Sequence, residues 1–540
     1  MNNKQIASKF DLLAKLMELH EENPFKIRSY ANAYLSLRKL EGDLHAMPKS
    51  ELSAIKGVGN TIADKIEEIL QTGQLNALIK YQDMTPAGVQ EMLHIKGLGP
   101  SKVRQIWREM DINTVGELLY ACNENRLVAY KGFGIKNQEE IRQRIEYYLD
   151  SQGKYLYAHV YKAAYDLKNA ISAVIPESKI EVCGDIRRCM PEVSGIELIT
   201  DCQDIDIIAD IEDIKEDAGQ WFYKGFPTKI YQVSPSEFTK TLFSKSCSES
   251  FLNAFTAEDL EVGDEQQIFK NKGNHFIPSE HREDPDILLQ YINTIPALIE
   301  TSDIYGIIHN HSTYSDGLHS LEEMANFVKE CGFQYFVISD HSKSAGYAGG
   351  LSEERVMQQW SEIDQLNDKF ADGFKIYKSI ESDILVDGSL DYSDDILKRF
   401  DLVIASVHSV LNMDIDKATA RLIKAIEHPS TRILGHPSGR LLLARQGYPL
   451  DYTKIIDACA SNHVVIELNA NPQRLDLDWM WIPYALKKGV MISINPDAHS
   501  KESIHYIKYG VAVARKGGLT KDMCLNSLSR LEFDDWLASK

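Results

Sequence analysis

The chain has 540 residues, 44% of them hydrophobic and 26% charged, and its formal net charge is −20 at pH 7. This composition is ordinary for a globular protein, and the length predicts several domains. No apolar run is long enough to cross a bilayer and the N-terminus lacks a signal-peptide pattern, so we expect no membrane association and a cytoplasmic location. The eight cysteines are scattered without a Cys-x-x-Cys pair, which fits a reduced compartment.

The net charge argues against a protein that binds nucleic acid through a general positive field. Residues 1–150 contain 20 Lys and Arg against 20 Asp and Glu, so the whole excess of acid belongs to residues 151–540. Any contact with DNA should therefore be local, and bound metal ions would offset part of the acidity elsewhere.

The N-terminal 150 residues are predicted to be helical and contain a repeated glycine pattern. Amphipathic periodicity predicts helices over residues 4–20 and 24–40. Three later units each place a Gly-x-Gly pair between a short helix and a second helix. The six glycines are Gly57, Gly59, Gly97, Gly99, Gly132 and Gly134.

These units resemble the helix-hairpin-helix motif. Its glycines let backbone N–H groups approach a phosphate at the start of the second helix, and such contacts hold a DNA strand without reading its sequence. The six glycines are therefore candidate DNA contacts. The alternative is a set of ordinary glycine-capped helix turns.

The C-terminal half carries a series of short histidine and acid motifs, each placed after a short apolar run. The predicted strands cover residues 304–308, 335–338, 375–377, 402–405, 432–434 and 490–494. Helical periodicity lies between most of them, over residues 321–330, 354–367, 417–427 and 452–460. Alternating strands and helices predict a distorted parallel α/β barrel whose chemistry collects where the strands end.

The residue types in these motifs predict a metal centre. The nine candidate ligands are His309, His311, Asp316, His341, Glu381, His408, His436, Asp497 and His499. Imidazoles and carboxylates are the ligands of zinc, manganese and iron, and this many predict two or three divalent ions. Such a cluster activates a water and clamps the oxygens of a phosphoester. Any one of these histidines alone could be a packed or surface residue, but their recurrence at strand ends favours a shared site.

Residues 300–540 also contain Asp387-Gly388-Ser389-Leu390-Asp391 and Gly435-His436-Pro437-Ser438-Gly439-Arg440. With the histidine motifs, these closely resemble the PHP (polymerase and histidinol phosphatase) domain, in the version at the C-terminus of bacterial family X DNA polymerases. The resemblance implies a (β/α)7 barrel, places the family's metal ligands on the nine residues, and implies a 3′→5′ exonuclease. Asp340 is then a candidate orienting residue or proton shuttle. Arg440 would balance charge on phosphorus or be the structural partner of a carboxylate.

Residues 1–80 resemble the N-terminal domain of family X polymerases. The resemblance places on Lys65 a lysine that can form a Schiff base with an abasic sugar, which would make the chain a lyase. A solvated helix lysine is the simpler interpretation of Lys65.

Residues 151–295 resemble the polymerase palm but depart from its pattern. Asp185 stands where the family has a serine in the triphosphate-binding turn before Arg187 and Arg188. The two metal-binding aspartates align with Gly195 and Glu197, and the third aligns with Lys229. Because nucleotidyl transfer needs those carboxylates, we predict a degenerate polymerase core that survives as a scaffold or DNA-binding surface. A rival register would use Asp204 and Asp206 and restore a working palm.

The sequence therefore predicts a multidomain α/β protein with four parts. They are an N-terminal helical domain with the first hairpin (1–80), a further fingers-like helix-hairpin-helix region (81–150), a degenerate palm- and thumb-like α+β nucleotidyltransferase domain (151–295) and a PHP metallo-phosphoesterase domain (300–540). We expect a monomer that acts in DNA repair on single strands, 3′ ends or gaps. The alternatives are an active polymerase/exonuclease, a small-molecule phosphatase and a non-catalytic repair scaffold.

Overall fold

The computed structural model describes residues 1–540 except 2, 39, 41–42, 96, 151–152, 205–207, 209–210, 218, 262, 293, 371–372 and 540. The chain divides into two units by its internal contacts. The smaller contains Met1–Cys122 and Tyr130–Tyr148, and the larger contains Asn123–Ala129 and Leu149–Lys540.

The smaller unit is helical. Its first helix buries Ile6, Phe10, Leu13 and Met17, whose spacing of three and four residues places them on one face. The helices that begin in residues 1–148 are α1 (Asn3–Leu19), α2 (Pro24–Leu37), α3 (Lys49–Ala54), α4 (Asn60–Thr72), α5 (Asn76–Asp83), α6 (Ala87–Met92), α7 (Pro100–Glu109), α8 (Val115–Asn123) and α9 (Ile135–Asp150). The predicted helices at residues 4–20 and 24–40 correspond to α1 and α2.

The first part of the larger unit is a mixed sheet with helices. Its strands are β1 (Tyr155–Leu156), β2 (Ile180–Val182), β3 (Glu192–Val193), β4 (Ile196–Thr200), β5 (Ile214–Asp217), β6 (Gln220–Tyr223) and β7 (Phe226–Gln232). Its helices are α10 (Tyr157–Val174), α11 (Gly184–Arg187), α12 (Phe238–Lys245), α13 (Glu249–Leu252), α14 (Glu265–Asn271) and α15 (Ile287–Gln290). The main sheet has the order β2-β4-β7-β6-β5, and β4 and β7 run parallel.

The C-terminal part of the larger unit is a nearly closed parallel barrel, as predicted. Its strands are β8 (Gly306–Ile307), β9 (Tyr335–Ile338), β10 (Lys375–Asp383), β11 (Leu402–Ser406), β12 (Thr431–Leu434), β13 (Val465–Asn469) and β14 (Ile492–Asn495). They pair in sequence order, and a parallel bridge from Asn310 to Ala498 joins the first strand to the last.

Helices alternate with these strands. They are α16 (Leu321–Glu330), α17 (Glu353–Lys369), α18 (Asp394–Leu397), α19 (Ile415–Ile426), α20 (Tyr452–Asn462), α21 (Ile482–Lys487), α22 (Ile507–Lys516) and α23 (Arg530–Ala538). In the described part of the chain, no helix is both long and apolar enough to span a membrane.

Two apolar layers hold the barrel together. Residues on one side of each strand, such as Phe336 and Ile338, pack against the helices. Those on the other side, such as Tyr335 and Val337, pack with one another and with Phe533 of α23. Side chains alternate between the two faces of a strand, so each strand serves both layers.

The predicted strands lie in the barrel, but the prediction omitted β13. In Val465–Asn469 the buried apolar residues alternate with Glu467 and Asn469. The two polar residues interrupt the apolar run by which the other strands were recognised.

The inner apolar layer, which forms the floor of the barrel and includes Tyr335 and Phe533, provides a stability test. The Phe533 ring is fully buried and stacks on Tyr335 at 4.5 Å between ring centroids. We expect Phe533→Ala to lower the free energy of unfolding of the larger unit by about 3–5 kcal/mol, because it leaves a cavity. Leu531→Ala, in the same helix but 64% exposed, is the control and should change it little. Equal urea midpoints for the two variants would contradict this account of the floor.

Candidate metal centre

Alternation along each strand brings polar side chains to the carboxyl end of the barrel. In β10, Tyr377 belongs to the inner apolar layer, and Glu381 follows it on the same face four residues later. The same alternation applies to β9. Tyr335 and Val337 belong to the inner apolar layer, and His341 continues their two-residue spacing just beyond the end of the strand. The apolar residues thus form a floor beneath the polar ones.

Two of the nine predicted ligands have a backbone conformation that residues other than glycine rarely adopt. The φ angle is 63° at His309 and 50° at Asp497. Both residues flank the bridge that closes the barrel, where the His311 N–H donates to the Ala498 carbonyl at 2.9 Å. His309 Nε2 lies 3.6 Å from Asp497 Oδ1. Such backbone strain is concentrated at functional sites.

Glu381 lies at the centre of one group of imidazoles. Its carboxylate is 2.9 Å from His341 Nδ1, 2.9 Å from His436 Nε2, 3.1 Å from His408 Nε2 and 3.3 Å from His309 Nε2. All five side chains are buried.

Asp316 lies at the centre of a second group. Its carboxylate is 3.3 Å from His499 Nε2, 3.5 Å from His341 Nε2 and 3.8 Å from His311 Nδ1. His311 Nε2 is also 3.1 Å from Asp497 Oδ1. His341 contacts both groups, so the structure brings all nine predicted ligand residues together.

The chemistry of these donors fits divalent metal ions. Several buried atoms of the cluster face an oppositely charged group without forming a hydrogen bond to a described residue, so they are available to a metal ion. They include His309 Nε2, Asp316 Oδ2, both ring nitrogens of His341, Glu381 Oε2 and His499 Nε2.

Three of the donor groups have ligand atoms within 4.8 Å of one another: His311, Asp316, His341 and His499; His309, His311 and Asp497; and His341, Glu381 and His408. Nitrogen and carboxylate oxygen donors suit zinc, manganese or iron. The residues present would therefore hold such ions.

Carboxylates behind the ligand residues hold the imidazoles in place. His309 Nδ1 is 2.6 Å from Glu467 Oε2, and His408 Nδ1 is 2.7 Å from Asp383 Oδ1. A carboxylate on one ring nitrogen fixes the tautomer and turns the other nitrogen toward a metal. The sequence prediction did not assign these two carboxylates a role. Their position in the sequence could have indicated this role, because each lies on a strand that also brings another polar side chain to the carboxyl end of the barrel.

Charges in the cluster compensate one another when no metal is bound. Burial favours the neutral imidazole, but Glu467, Glu381 and Asp497 outweigh it and raise the pKa of His309 well above its usual value. At His341, burial also favours the neutral ring, but Asp316 and Glu381 outweigh it and raise the pKa to about 10. Conversely, burial lowers the pKa of His311 to about 3, with help from two neighbouring imidazoles.

The two residues predicted to assist catalysis lie outside the ligand set. Asp340 accepts hydrogen bonds from the Ser312 N–H at 2.8 Å, the Ser315 N–H at 3.1 Å and Gln359 Nε2 at 2.6 Å. It therefore holds the loop that presents Asp316. The Arg440 guanidinium pairs with Asp478 and donates to main-chain carbonyls, which favours the structural alternative for this residue.

Of the three positions in the palm-like sheet that align with the family's carboxylates, Lys229 has the opposite charge, Gly195 has none and Glu197 keeps a carboxylate. Glu197 of β4 lies opposite Lys229 of β7 in the strand register. Arg187 pairs with Glu265 at 2.5 Å, and Arg188 pairs with Glu283 at 2.8 Å. Asp185 also pairs with Arg188, at 2.5 Å. Of the rival pair, Asp206 lies outside the described residues.

The predicted DNA-contacting glycines repeat one geometry. Gly57, Gly97 and Gly132, the first of each pair, have φ angles of 85°, 89° and 94°, which glycine adopts without strain. The second glycines, Gly59, Gly99 and Gly134, each directly precede a helix: α4, α7 and α9.

Lys65 on α4 pairs with Glu68 at 2.7 Å, as an ordinary lysine on a helix surface would.

Comparison with known proteins agrees with this geometry. A helix-hairpin-helix domain model matches residues 1–75, and a SAM-like helix-hairpin-helix tandem model matches residues 89–146, which confirms the predicted motif. The chain is 30% identical to the DNA polymerase/3′-5′ exonuclease PolX of Bacillus subtilis (strain 168), over 99% of both chains.

Other relatives match only part of the chain. Probable phosphatases of Thermoanaerobacter sp. (strain X514) and Shewanella sediminis (strain HAW-EB3) are 28% and 25% identical, over 41% and 40% of this chain and 89% and 87% of their own. The histidinol phosphate phosphatase of Lactococcus lactis, solved with zinc, L-histidinol and phosphate, overlaps weakly, with a TM-score of 0.31 and 17% identity. That overlap covers 40% of this chain and 94% of that one.

Metal binding should release protons. Asp316 and Glu381 outweigh burial and raise the pKa of His341 to about 10, which favours its protonated form at pH 7, whereas a ligand imidazole must be neutral. We therefore expect zinc or manganese to acidify a weakly buffered solution of the protein. Apparent metal affinity should rise with pH between 7 and the His341 pKa of about 10.

The measurement is a metal titration followed with a pH indicator. The His341→Ala variant is the control and should release fewer protons. Metal binding without proton release would contradict the charge assignment.

Proposed function

Because this chain belongs to the bacterial family X DNA polymerases that carry a C-terminal PHP domain, we propose that it is a metal-dependent phosphoesterase acting on DNA. We further propose that it is a 3′→5′ exonuclease in DNA repair, with a polymerase core that has lost its activity. The observation that carries the proposal is the convergence at one end of the barrel of nine donor residues whose side chains are at most 6% exposed.

The proposed chemistry follows from the donor set. Two or three divalent ions held by the nine residues would activate a water and balance charge on the attacking and leaving oxygens of a phosphodiester. The protein would supply rigid orientation. Asp383 and Glu467 hold two imidazoles, and Asp340 holds the loop with Asp316.

The ion pairs of the palm-like domain support the loss of polymerase activity. Arg187 and Arg188 would have to bind a triphosphate, but Glu265 and Glu283 already neutralise them. Lys229 beside Glu197 would repel the metal ions that nucleotidyl transfer requires. We propose that this domain serves as a scaffold or DNA-binding surface.

Two activities from the relatives' names remain as alternatives. The name of the Bacillus subtilis relative includes DNA polymerase, so an active polymerase/exonuclease is the first. The C-terminal relatives are named probable phosphatases, so a small-molecule phosphatase is the second. The two helix-hairpin-helix matches favour DNA, because a small phosphate ester needs no strand-binding module. A non-catalytic scaffold is disfavoured by the complete donor set.

Three substrates separate these alternatives. With added manganese or zinc, the protein should shorten 3′-labelled single-stranded DNA and should not extend a primer-template at any dNTP concentration. A small phosphomonoester should be hydrolysed poorly. Templated extension would restore the polymerase, and rapid hydrolysis of the phosphomonoester alone would favour the phosphatase.

Replacing His341 should separate hydrolysis from DNA binding. We expect His341→Ala to lower the hydrolysis rate by more than about 100-fold, because even the loss of an outer partner of a ligand costs 10–100-fold. Binding of single-stranded DNA, measured by fluorescence anisotropy, should change little.

The matched control is His505→Ala, which alters an exposed histidine of the same unit and should leave both measurements unchanged. Parallel loss of hydrolysis and DNA binding in His341→Ala would show that the proposed division of roles is wrong.

A further inference from the structure

A short N-terminal segment lies at the metal centre. Asn123–Ala129 belongs to the larger unit, although the chain on both sides of it belongs to the smaller one. Asn123 donates to Gln473 at 2.5 Å, and Asn471 donates to Glu124 at 3.3 Å. These bonds anchor the segment to the loop that follows β13.

Glu124 contacts one of the predicted metal ligands. Its side chain is only 3% exposed, and its Oε2 lies 2.5 Å from His499 Nδ1. The other ring nitrogen of His499 faces Asp316 at 3.3 Å. A buried carboxylate is costly unless it is paired, and here its partner is a ligand imidazole.

This pairing repeats the two found within the barrel. Glu467 and Asp383 likewise lie against Nδ1 of His309 and His408, although Nδ1 of His499 also faces the main-chain carbonyl of Asp497 at 3.0 Å. In those cases the carboxylate comes from a barrel strand, whereas Glu124 comes from the N-terminal third of the chain. The imidazole of His499 is therefore held by Glu124, which lies outside residues 300–540.

Arg126 of the same segment lies beside the second group of donors. Its Nε is 3.9 Å from Asp316 Oδ2, and its guanidinium lies 4.6 Å from the centre of the Tyr347 ring. With cations bound at Asp316, a guanidinium so close would be repelled unless an anion lay between them. A phosphate is such an anion, and the planar guanidinium matches its geometry.

We propose that Asn123–Ala129 is a working part of the metal centre, in which Glu124 positions His499 and Arg126 binds the phosphate of the substrate. This inference rests on the proposed phosphoesterase function. The barrel alone, residues 300–540, lacks both groups. The chain that provides Arg126 continues within a few residues to Gly132 of the third hairpin, so the phosphate contact and a candidate DNA contact are close neighbours in sequence.

The role of Glu124 is tested by metal affinity in the full chain. Glu124→Gln should weaken binding of zinc or manganese at one site by 10–100-fold, the usual effect of losing a partner behind a ligand, as measured by competition with a chelator. Glu124→Asp, which keeps the charge, should lose less. The control is Glu354→Gln, an exposed glutamate on α17. Wild-type metal affinity in Glu124→Gln, with an unchanged circular dichroism spectrum, would overturn the assignment.

The role of Arg126 is tested with inorganic phosphate and a small ester. Arg126→Met should weaken binding of inorganic phosphate to the metal-loaded protein by about 10-fold, measured by calorimetry. It should also lower kcat/KM for the p-nitrophenyl ester of thymidine 5′-monophosphate by about 100-fold. Metal content should be unchanged, and Arg126→Lys should recover part of the loss.

A matched control removes another stacked arginine. Arg399 lies 4.6 Å from the ring of Trp360, and Arg399→Met should leave both measurements unchanged. Wild-type phosphate binding in Arg126→Met would overturn the inference.

Failure of the proposed function is distinguishable from failure of this inference. If the wild-type protein hydrolyses no phosphoester, the proposed function fails, while the metal and phosphate affinities of the variants still decide whether Glu124 and Arg126 belong to the centre.

Discussion

The carboxyl end of the barrel depends on charge compensation in a buried space. Six imidazoles and three carboxylates lie close together with side chains at most 6% exposed, where an uncompensated charge would be very costly. Without metals, protonated imidazoles compensate the carboxylates, as the raised pKa values of His309 and His341 indicate. With metals, the cations take over this role. The left-handed backbone at His309 and Asp497 and the apolar floor beneath are the structural conditions for the arrangement.

Much of this centre could be predicted from sequence, because it follows a local rule. Residues at the carboxyl ends of neighbouring parallel strands lie at the same end of the barrel. Each ligand motif could therefore be identified from its own position after a predicted strand. Asp383 and Glu467 obey the same rule, although their role became visible only through their distances to His408 and His309. Glu124 and Arg126 follow no local rule, because only tertiary folding brings them to the barrel.

The palm-like domain illustrates why a fold does not by itself establish an activity. Its mixed sheet and the family relationship persist, yet Arg187 and Arg188 there are paired with internal carboxylates. These ion pairs support the proposal that the scaffold has outlasted its polymerase chemistry. The predicted division into four domains stays a prediction, since contacts divide the chain into only two units and assign Asn123–Ala129 to the larger.

The most direct test of the account is anomalous diffraction from crystals of the protein grown with zinc or manganese. The account predicts two or three anomalous peaks at the carboxyl end of the barrel, each about 2.0–2.2 Å from nitrogen or oxygen atoms of the nine donor residues. Metal peaks only at surface residues, with the nine side chains bonded to one another instead, would contradict it.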